Sequence, residues 1–199
     1  MHFRPESYWQ AGTKLSVRLA VGGLPLGGGA YGAKDVTVRA TIGDKVVMVT
    51  DNATHTLTVT RGDQVVRTIP VSLGKPGKPS SSGAMVIMEK HQQDVFVGTD
   101  PADPYRIPVS WVQRLTISGQ YLHAAPWSVG NQGKRNVSHG CTNMSTDNAK
   151  WLYGITHIGD PVTVKGTQVH VAWGNGWTDW DRPWDEYRKA SALASQSGQ

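Results

Sequence analysis

The amino-acid sequence predicts a mainly β domain with a few helices. Three observations carry this. Short alternating or β-branched segments follow one another, separated by turn signals such as Arg61-Gly62-Asp63 and Gly159-Asp160-Pro161. The chain carries 23 Gly and 11 Pro in 199 residues, enough to punctuate many strands. Charged residues make up only 18 %, so disorder is expected only at the ends. This length predicts about one to two domains and permits a substantial core.

Taken in order, residues 15–21 alternate and lead into a Gly-rich loop over 22–32. Within it Gly27, Gly29 and Gly32 match the G-x-G-x-x-G spacing of dinucleotide binders. That motif must open a helix. Residues 36–42 instead read as a strand, so the glycines read as a plain loop and no cofactor is expected. Strands follow at 46–50, 56–60 and 64–72, the last two forming a hairpin. Residues 75–83 read as a loop, 84–90 as a strand, 94–98 as short and extended, and 100–108 as a loop or lid. Residues 120–124 read as a strand ending near His123. Ser145 is placed to cap a helix that ends near Gly154. Residues 162–165 and 168–172 suggest a hairpin. Asp181-Arg182-Pro183 opens a terminal helix in a Trp-rich tail, and 191–199 look frayed. The expected organisation is an N-terminal linker or packing segment over 1–35, a main domain over 36–166, and a C-terminal subdomain and tail over 167–199.

Composition bounds the partners. The net charge is +5, but Lys and Arg are scattered, with no basic helix or aromatic ladder of the kind nucleic-acid binding needs. No apolar run has membrane-spanning length. The single cysteine excludes an intrachain disulfide. The polar start lacks the pattern of a signal peptide and looks like the edge of a longer protein.

That cysteine, Cys141, lies in Asn136-Val137-Ser138-His139-Gly140-Cys141-Thr142-Asn143. Taken alone, a free Cys is most often a small buried hydrophobe. Its neighbours point to a nucleophile. Gly140 leaves room for a substrate carbonyl, and successive backbone N–H groups around it suit an oxyanion. A helix starting soon after Asn143 is expected to lower the thiol pKa. His123 is the candidate base. No carboxylate lies near it in sequence, so a backbone carbonyl such as that of Ala124 is the expected orienting acceptor. In extended backbone His139 shares a face with Cys141, and supports the thiol, contacts substrate or is structural. Asn143 and Ser138 are expected to brace the loop.

Competing signals are weaker. His123, His139 and Cys141 offer three metal ligands, but no familiar zinc motif is present and no metal is expected. Ser72-Leu73-Gly74-Lys75 matches S-x-x-K, a nucleophile motif that must open a helix; here it ends a strand and reads as chance. Sequons begin at Asn52, Asn136 and Asn143; a glycan on either of the two that flank Cys141 would obstruct access, which disfavours a glycosylated eukaryotic context.

With these residues in view, the chain resembles the L,D-transpeptidase (YkuD-type) family of bacterial cell-wall enzymes. The family pattern is a His, then about fifteen positions later Ser/Thr-His-Gly-Cys, one residue and Asn or Arg. Here it reads His123 and Ser138-His139-Gly140-Cys141-Thr142-Asn143. His123-Ala124-Ala125-Pro126-Trp127-Ser128-Val129-Gly130 and the Trp-rich tail around Trp180 and Trp184 are similar to multidomain members from high-GC Gram-positive bacteria. The resemblance implies a β-sandwich or barrel-like catalytic domain with a short helical C-terminal extension, preceded in the full protein by Ig-like domains. It implies an extracytoplasmic location, with export or anchoring by a segment outside this chain. It further implies that Cys141 carries the acyl group of a stem tetrapeptide, that His123 is the base, and that amides near His139, Gly140 and Cys141 hold the oxyanion. D-Ala is then released and the acyl group passes to the side-chain amine of another meso-diaminopimelate. Tyr105 takes the place of a lid tyrosine lining the donor pocket, Trp127, Ser138 and Asn143 are expected with it in the substrate-binding set, and carbapenems are expected to acylate Cys141. Ala124 stands where relatives often have Ser, and residues 91–104 depart most from the family, a difference expected to alter substrate or β-lactam preference. Two other readings are a sortase-like transpeptidase, which needs an Arg soon after the Cys where here the next is Arg182, and a non-catalytic wall-binding module with an inert Cys.

Overall fold

A computed structural model describes residues 2–98 and 100–189; the frayed end expected at 191–199 lies outside the described residues. The chain forms two compact units, Pro5–Lys45 and the remainder.

In the smaller unit, β1 (Lys14–Leu19) pairs antiparallel with β4 (Val36–Thr41), from Lys14 opposite Thr41 to Leu19 opposite Val36. This register puts the apolar pairs Leu15/Ala40, Val17/Val38 and Leu19/Val36 on one face of the ribbon and polar pairs on the other. Val17 and Val38 are nonetheless 53 % and 55 % exposed. Between them β2 (Pro25–Gly27) and β3 (Ala30–Tyr31) form a short hairpin. Gly28 and Gly29 at its tip take φ of 57° and 79°, which favours glycine. The glycine-rich stretch is thus partly a hairpin, and the segment after it is a strand. β4 lies in the N-terminal unit, where its only strand partner among the described residues is β1.

The larger unit is built on two sheets. A meander of β5 (Val46–Asp51), β6 (Thr56–Arg61) and β7 (Gln64–Pro70) leads to β8 (Ser81–Val86). β9 (Glu89–Val97), β10 (Arg106–Arg114), β11 (Tyr121–Ala124) and β12 (Thr142–Met144) form a second sheet in the order β12-β11-β10-β9. After helix α1 (Thr146–Ile155), β13 (Pro161–Lys165) and β14 (Val169–His170) return to the first sheet, whose order is β14-β8-β13-β5-β6-β7. The terminal helix α2 (Trp184–Lys189) follows a 3-10 turn at Asp179–Asp181.

Alternation sets which side chains go inside. β5 buries Val46, Met48 and Thr50, and β6 buries Leu57 and Val59. From the other sheet Leu122, Ala124 and Met144 enter the same core, joined by Ala149 and Leu152 of α1. Each fully buried Leu or Met side chain contributes about 1.5–3 kcal/mol relative to exposure. Ser145 caps α1 by accepting the Asn148 N–H at 3.3 Å. At its other end Lys90 Nζ donates to the Tyr153 carbonyl at 2.7 Å and to that of Thr156, a cation on the negative end of the helix.

Other expectations are corrected here. β14 forms no hairpin with β13: it pairs parallel with β8, from the opposite side. Residues 167–189 lie in the larger unit. Residues 106–108, expected in a loop, begin β10. Pro108 is tolerated there because this end of β10 pairs only with β9, and pairing with β11 starts at Ser110. Arg4 also gains a role that no local pattern announced. It donates to the carbonyls of Asp179 and Arg182 at 2.9 and 2.7 Å, and its guanidinium lies 4.5–5.3 Å from the rings of Tyr187, Trp180 and Trp184.

Candidate active site

The site is organised by the parallel pairing of β11 with β12. Leu122 faces Thr142, His123 faces Asn143 and Ala124 faces Met144. Side chains alternate along each strand, so Leu122, Ala124 and Met144 point into the core. The other face carries Tyr121, His123 and Asn143, with Cys141 entering just before β12 on that side. Residues far apart in sequence thus converge on a cleft of about 260 Å³, lined by Phe96, Tyr105, His123, Trp127, His139 and Cys141 among others. A larger concavity of about 410 Å³ lies near Arg4 and Trp177, but its lining holds no cysteine.

His123 is buried, 3 % exposed. Its Nδ1 lies 2.8 Å from the Ala124 carbonyl. A carbonyl oxygen only accepts, so Nδ1 carries the proton and Nε2 is left with the free lone pair. Phe96 meets the ring edge-on at 5.1 Å, and Trp127 lies 6.1 Å away. This enclosure pushes the imidazole pKa down to about 4, against smaller opposing effects of the Ala124 carbonyl and the Asn143 side chain.

Cys141 is part-exposed as a residue, yet desolvation of its sulfur pushes the thiol up to about 12. This reverses the expected lowering. β12 intervenes before the helix, whose first turn begins only at Thr146, and burial sets the direction of the shift against a smaller opposing effect of the Tyr121 backbone. The thiol points at the Gly119 carbonyl, 3.8 Å away. At neutral pH both partners are therefore uncharged: a thiol and a neutral imidazole.

The loop before Cys141 is held from behind by the S-x-x-K stretch. Ser72 is buried; its Oγ donates to the Arg135 carbonyl at 2.8 Å and accepts the Val137 N–H at 3.0 Å. Ser138 N–H donates to the Leu73 carbonyl, and Lys75 N–H to that of Ser138. Gly74 lies so close to the 78–80 backbone that an added Cβ would sit 2.2 Å from the Lys78 carbonyl oxygen. The stretch is a wall rather than a helix, and its serine is structural. Asn136 accepts the Leu73 N–H and donates to Asn52 Oδ1 at 2.6 Å, which engages both sequon side chains internally.

Gly140 takes φ of 122°, a value that L side chains rarely adopt. Its carbonyl accepts from Ser80 Oγ at 2.7 Å and its N–H donates to Ser138 Oγ at 3.1 Å, while Ser138 Oγ donates to the Cys141 carbonyl at 2.6 Å. Of the three amides expected to hold an oxyanion, that of Gly140 is thus already engaged. Asn143 is 3 % exposed; its Nδ2 donates to Ser128 Oγ at 3.2 Å, and its Oδ1 has no partner among the described residues. Ser128 and Gln132, which no sequence argument singled out, both bond the Ala125 carbonyl and so tie the segment after His123 to Asn143.

At the cleft mouth Tyr105 packs on His139, ring centres 4.8 Å apart. Gly98 permits this, since a Cβ there would meet the Tyr105 ring at 2.5 Å. His139 Nε2 lies 2.8 Å from Asp103 Oδ2 and 3.2 Å from Lys75 Nζ. Among the described residues no group of three or more His, Cys, Asp or Glu is arranged to hold a metal.

Comparison with known proteins agrees with this arrangement. Residues 44–164 match the YkuD L,D-transpeptidase catalytic domain model. The chain is 36 % identical to L,D-transpeptidase 2 of Mycobacterium tuberculosis over 201 residues, covering 98 % of this chain and 49 % of that protein. It is likewise 36 % identical to L,D-transpeptidase 5 of the same species, covering 97 % and 44 %. The chain thus spans about half the length of these curated relatives. Among solved structures, the LD transpeptidase LdtMt1 in complex with imipenem superposes with a TM-score of 0.68 at 36 % identity, covering 79 % of this chain and 69 % of that one. L,D-transpeptidase 3 of Mycobacterium tuberculosis in complex with a faropenem-derived adduct does so at 0.67 and 27 % identity, covering 81 % and 72 %. A tautomer-fixed histidine on one strand and a cysteine directly before the strand parallel to it, within a matching domain of 121 residues (44 to 164 inclusive), place this chain in the YkuD L,D-transpeptidase catalytic domain family.

Proposed function

We propose that this protein is a peptidoglycan L,D-transpeptidase acting through an acyl-enzyme on Cys141. The observation that carries the reading is that His123 on β11 and Cys141, directly before β12, line one cleft, with Nδ1 held by the Ala124 carbonyl. In the first step Nε2 of His123 takes the thiol proton as sulfur attacks the meso-diaminopimelate carbonyl of a stem tetrapeptide. The peptide C–N bond breaks, the departing D-Ala amine takes the proton from Nε2, and a thioester remains. In the second step the side-chain amine of another diaminopimelate attacks the thioester, Nε2 receives its proton, and the new amide leaves as Cys141 regains a thiol. Because both residues rest uncharged, the charge appears only as the bond forms, in a site shielded from water.

Amides flanking Gly140, those of His139 and Cys141, are assigned to the oxyanion, since the Gly140 N–H is committed to Ser138. Gly140 itself serves through its backbone conformation. Tyr105 and Trp127 wall the donor pocket. Asn143, in the cleft lining with a side chain that also acts on the His123 imidazole, is assigned to the substrate-binding set. The same thiol is assigned as the target of carbapenems, a reading supported by the relatives bound to imipenem and a faropenem-derived adduct. Peptidoglycan as substrate places the action outside the cytoplasm. The reading is tested by incubating the protein with a disaccharide-tetrapeptide and resolving the products. A 3→3 cross-linked dimer with equimolar D-Ala is expected. D-Ala release without dimer would make the protein a carboxypeptidase, and neither product would overturn the assignment. A sortase-like reading needs an arginine soon after the cysteine in sequence, and the next here is Arg182. A wall-binding module with an inert cysteine would give no product and only retention on peptidoglycan.

A further inference from the structure

The cleft mouth carries a charge cluster that the proposed reaction does not use. Three donors from two segments converge on one oxygen of Asp103: Lys75 Nζ at 2.9 Å, His139 Nε2 at 2.8 Å and, more distantly, Lys78 Nζ at 3.5 Å. Lys78 pairs more closely with Asp100, at 2.8 Å. A turn shapes this loop: the Asp103 N–H donates to the Asp100 carbonyl, and Asp100 Oδ1 accepts the Ala102 N–H at 2.9 Å. The backbones that carry Lys75 and His139 are held by bonds that do not involve Asp103. Lys75 is held by its backbone bond to Ser138. His139 lies two residues before the nucleophile, in the loop walled by Ser72 and Gly74. The two groups lie 3.2 Å apart, with His139 lining the same cleft as Cys141 and packed on Tyr105. A cation and an imidazole N–H converging on one point make a receptor for a carboxylate. In this structure the carboxylate is the protein's own, delivered by a loop, and its side chain is 39 % exposed and so displaceable.

From this arrangement we infer that Asp103 is a specificity-determining residue. It fills, as an intramolecular competitor, a carboxylate subsite made by Lys75 and His139, and a carboxylate of the donor peptide displaces it on binding. This rests on the transpeptidase reading, in which the donor is a peptide bearing free carboxylates. The subsite selects for anionic donors, and Asp103 sets how tightly they must bind. The mutual attraction of exposed charges is modest, so the competition weakens anionic donors by about two- to fivefold.

The test compares the wild-type chain with Asp103→Asn on two donors: a stem tetrapeptide with free carboxylates, and the same peptide with those carboxylates amidated. D-Ala or D-alaninamide release is followed. For the anionic donor, Asp103→Asn is expected to lower KM by about two- to fivefold with kcat within twofold. The amidated donor should show no change, and adding Lys75→Met to Asp103→Asn should cancel the gain. If Asp103 served only to hold the loop closed, both donors would shift together and kcat would fall, which overturns the inference. An unchanged or raised KM for the anionic donor overturns it too. Release from neither donor by the wild-type protein would instead remove the transpeptidase reading on which the inference rests.

Discussion

The two histidines of the cleft stand in opposite surroundings, and the difference separates the proposed base from the proposed carboxylate subsite. His123 is enclosed by Phe96 and Trp127, bonded to one backbone carbonyl, and kept neutral by burial. His139, two residues from the nucleophile, is open to solvent at the edge and tied to Asp103 and Lys75. There the hydrogen bond from Lys75, and then that from His139, hold the Asp103 carboxyl well below the usual carboxylate range. A proton acceptor needs a free lone pair and a fixed tautomer, and the dry pocket supplies both. An edge that admits an anionic peptide needs charge within reach of water, and the loop cluster supplies that.

The contrast can be broken in graded steps. Cys141→Ala removes the nucleophile and should abolish both cross-linking and covalent labelling, read by product analysis and intact mass. His123→Gln keeps a polar side chain but removes the base, and should lower the acylation rate about 10²- to 10⁴-fold. Gly140→Ala forces a side chain onto φ of 122°; a strain of about 1–3 kcal/mol in the loop should cost about ten- to a hundredfold in acylation rate. His139→Gln should cost less than about tenfold in kcat, because on this account its ring touches the substrate edge rather than the reacting atoms. A loss as large as that of His123→Gln would erase the distinction between the two residues.

Stability offers a smaller, independent readout. The folded pKa of His123 is about 4, below its ordinary 6.5, so between these values the unfolded chain binds more protons than the folded one. Its contribution is therefore fully present above pH 6.5 and is lost as pH falls toward 4. The thiol runs the other way: with its folded value near 12, its contribution is lost as pH rises above about 9. His123→Gln should flatten the acid limb of a Tm-against-pH curve and leave the alkaline limb in place, while Cys141→Ala should do the reverse.

How much of this was legible in the sequence depends on whether the information was local. The strands of the meander, the cap at Ser145 and the His-Cys pair all follow from spacing, alternation or side-chain type within a few residues. Pairing partners do not. β14 sits beside β8 rather than β13, and β11 pairs in parallel with β12, through contacts that no turn dictates. The stretch Ser72-Leu73-Gly74-Lys75 reads as a stray motif until the nucleophile loop is laid against it. The thiol's electrostatics were misjudged for a similar reason. Sequence placed a helix soon after Cys141, but the three-residue strand between them, and the burial of the sulfur, decide the sign. Arg4 and Asp103 work through residues far along the chain, so nothing near either one marks its role.

The most direct test of the account is the pH dependence of Cys141 acylation by imipenem, followed by intact-protein mass spectrometry with peptide mapping of the adduct. A neutral thiol and a neutral base near 12 and 4 predict one adduct, on Cys141, forming at a rate that is level from about pH 5 to 9 and declines below that range. No adduct on Cys141, or a rate that rises through an inflection near pH 6.5, would contradict it.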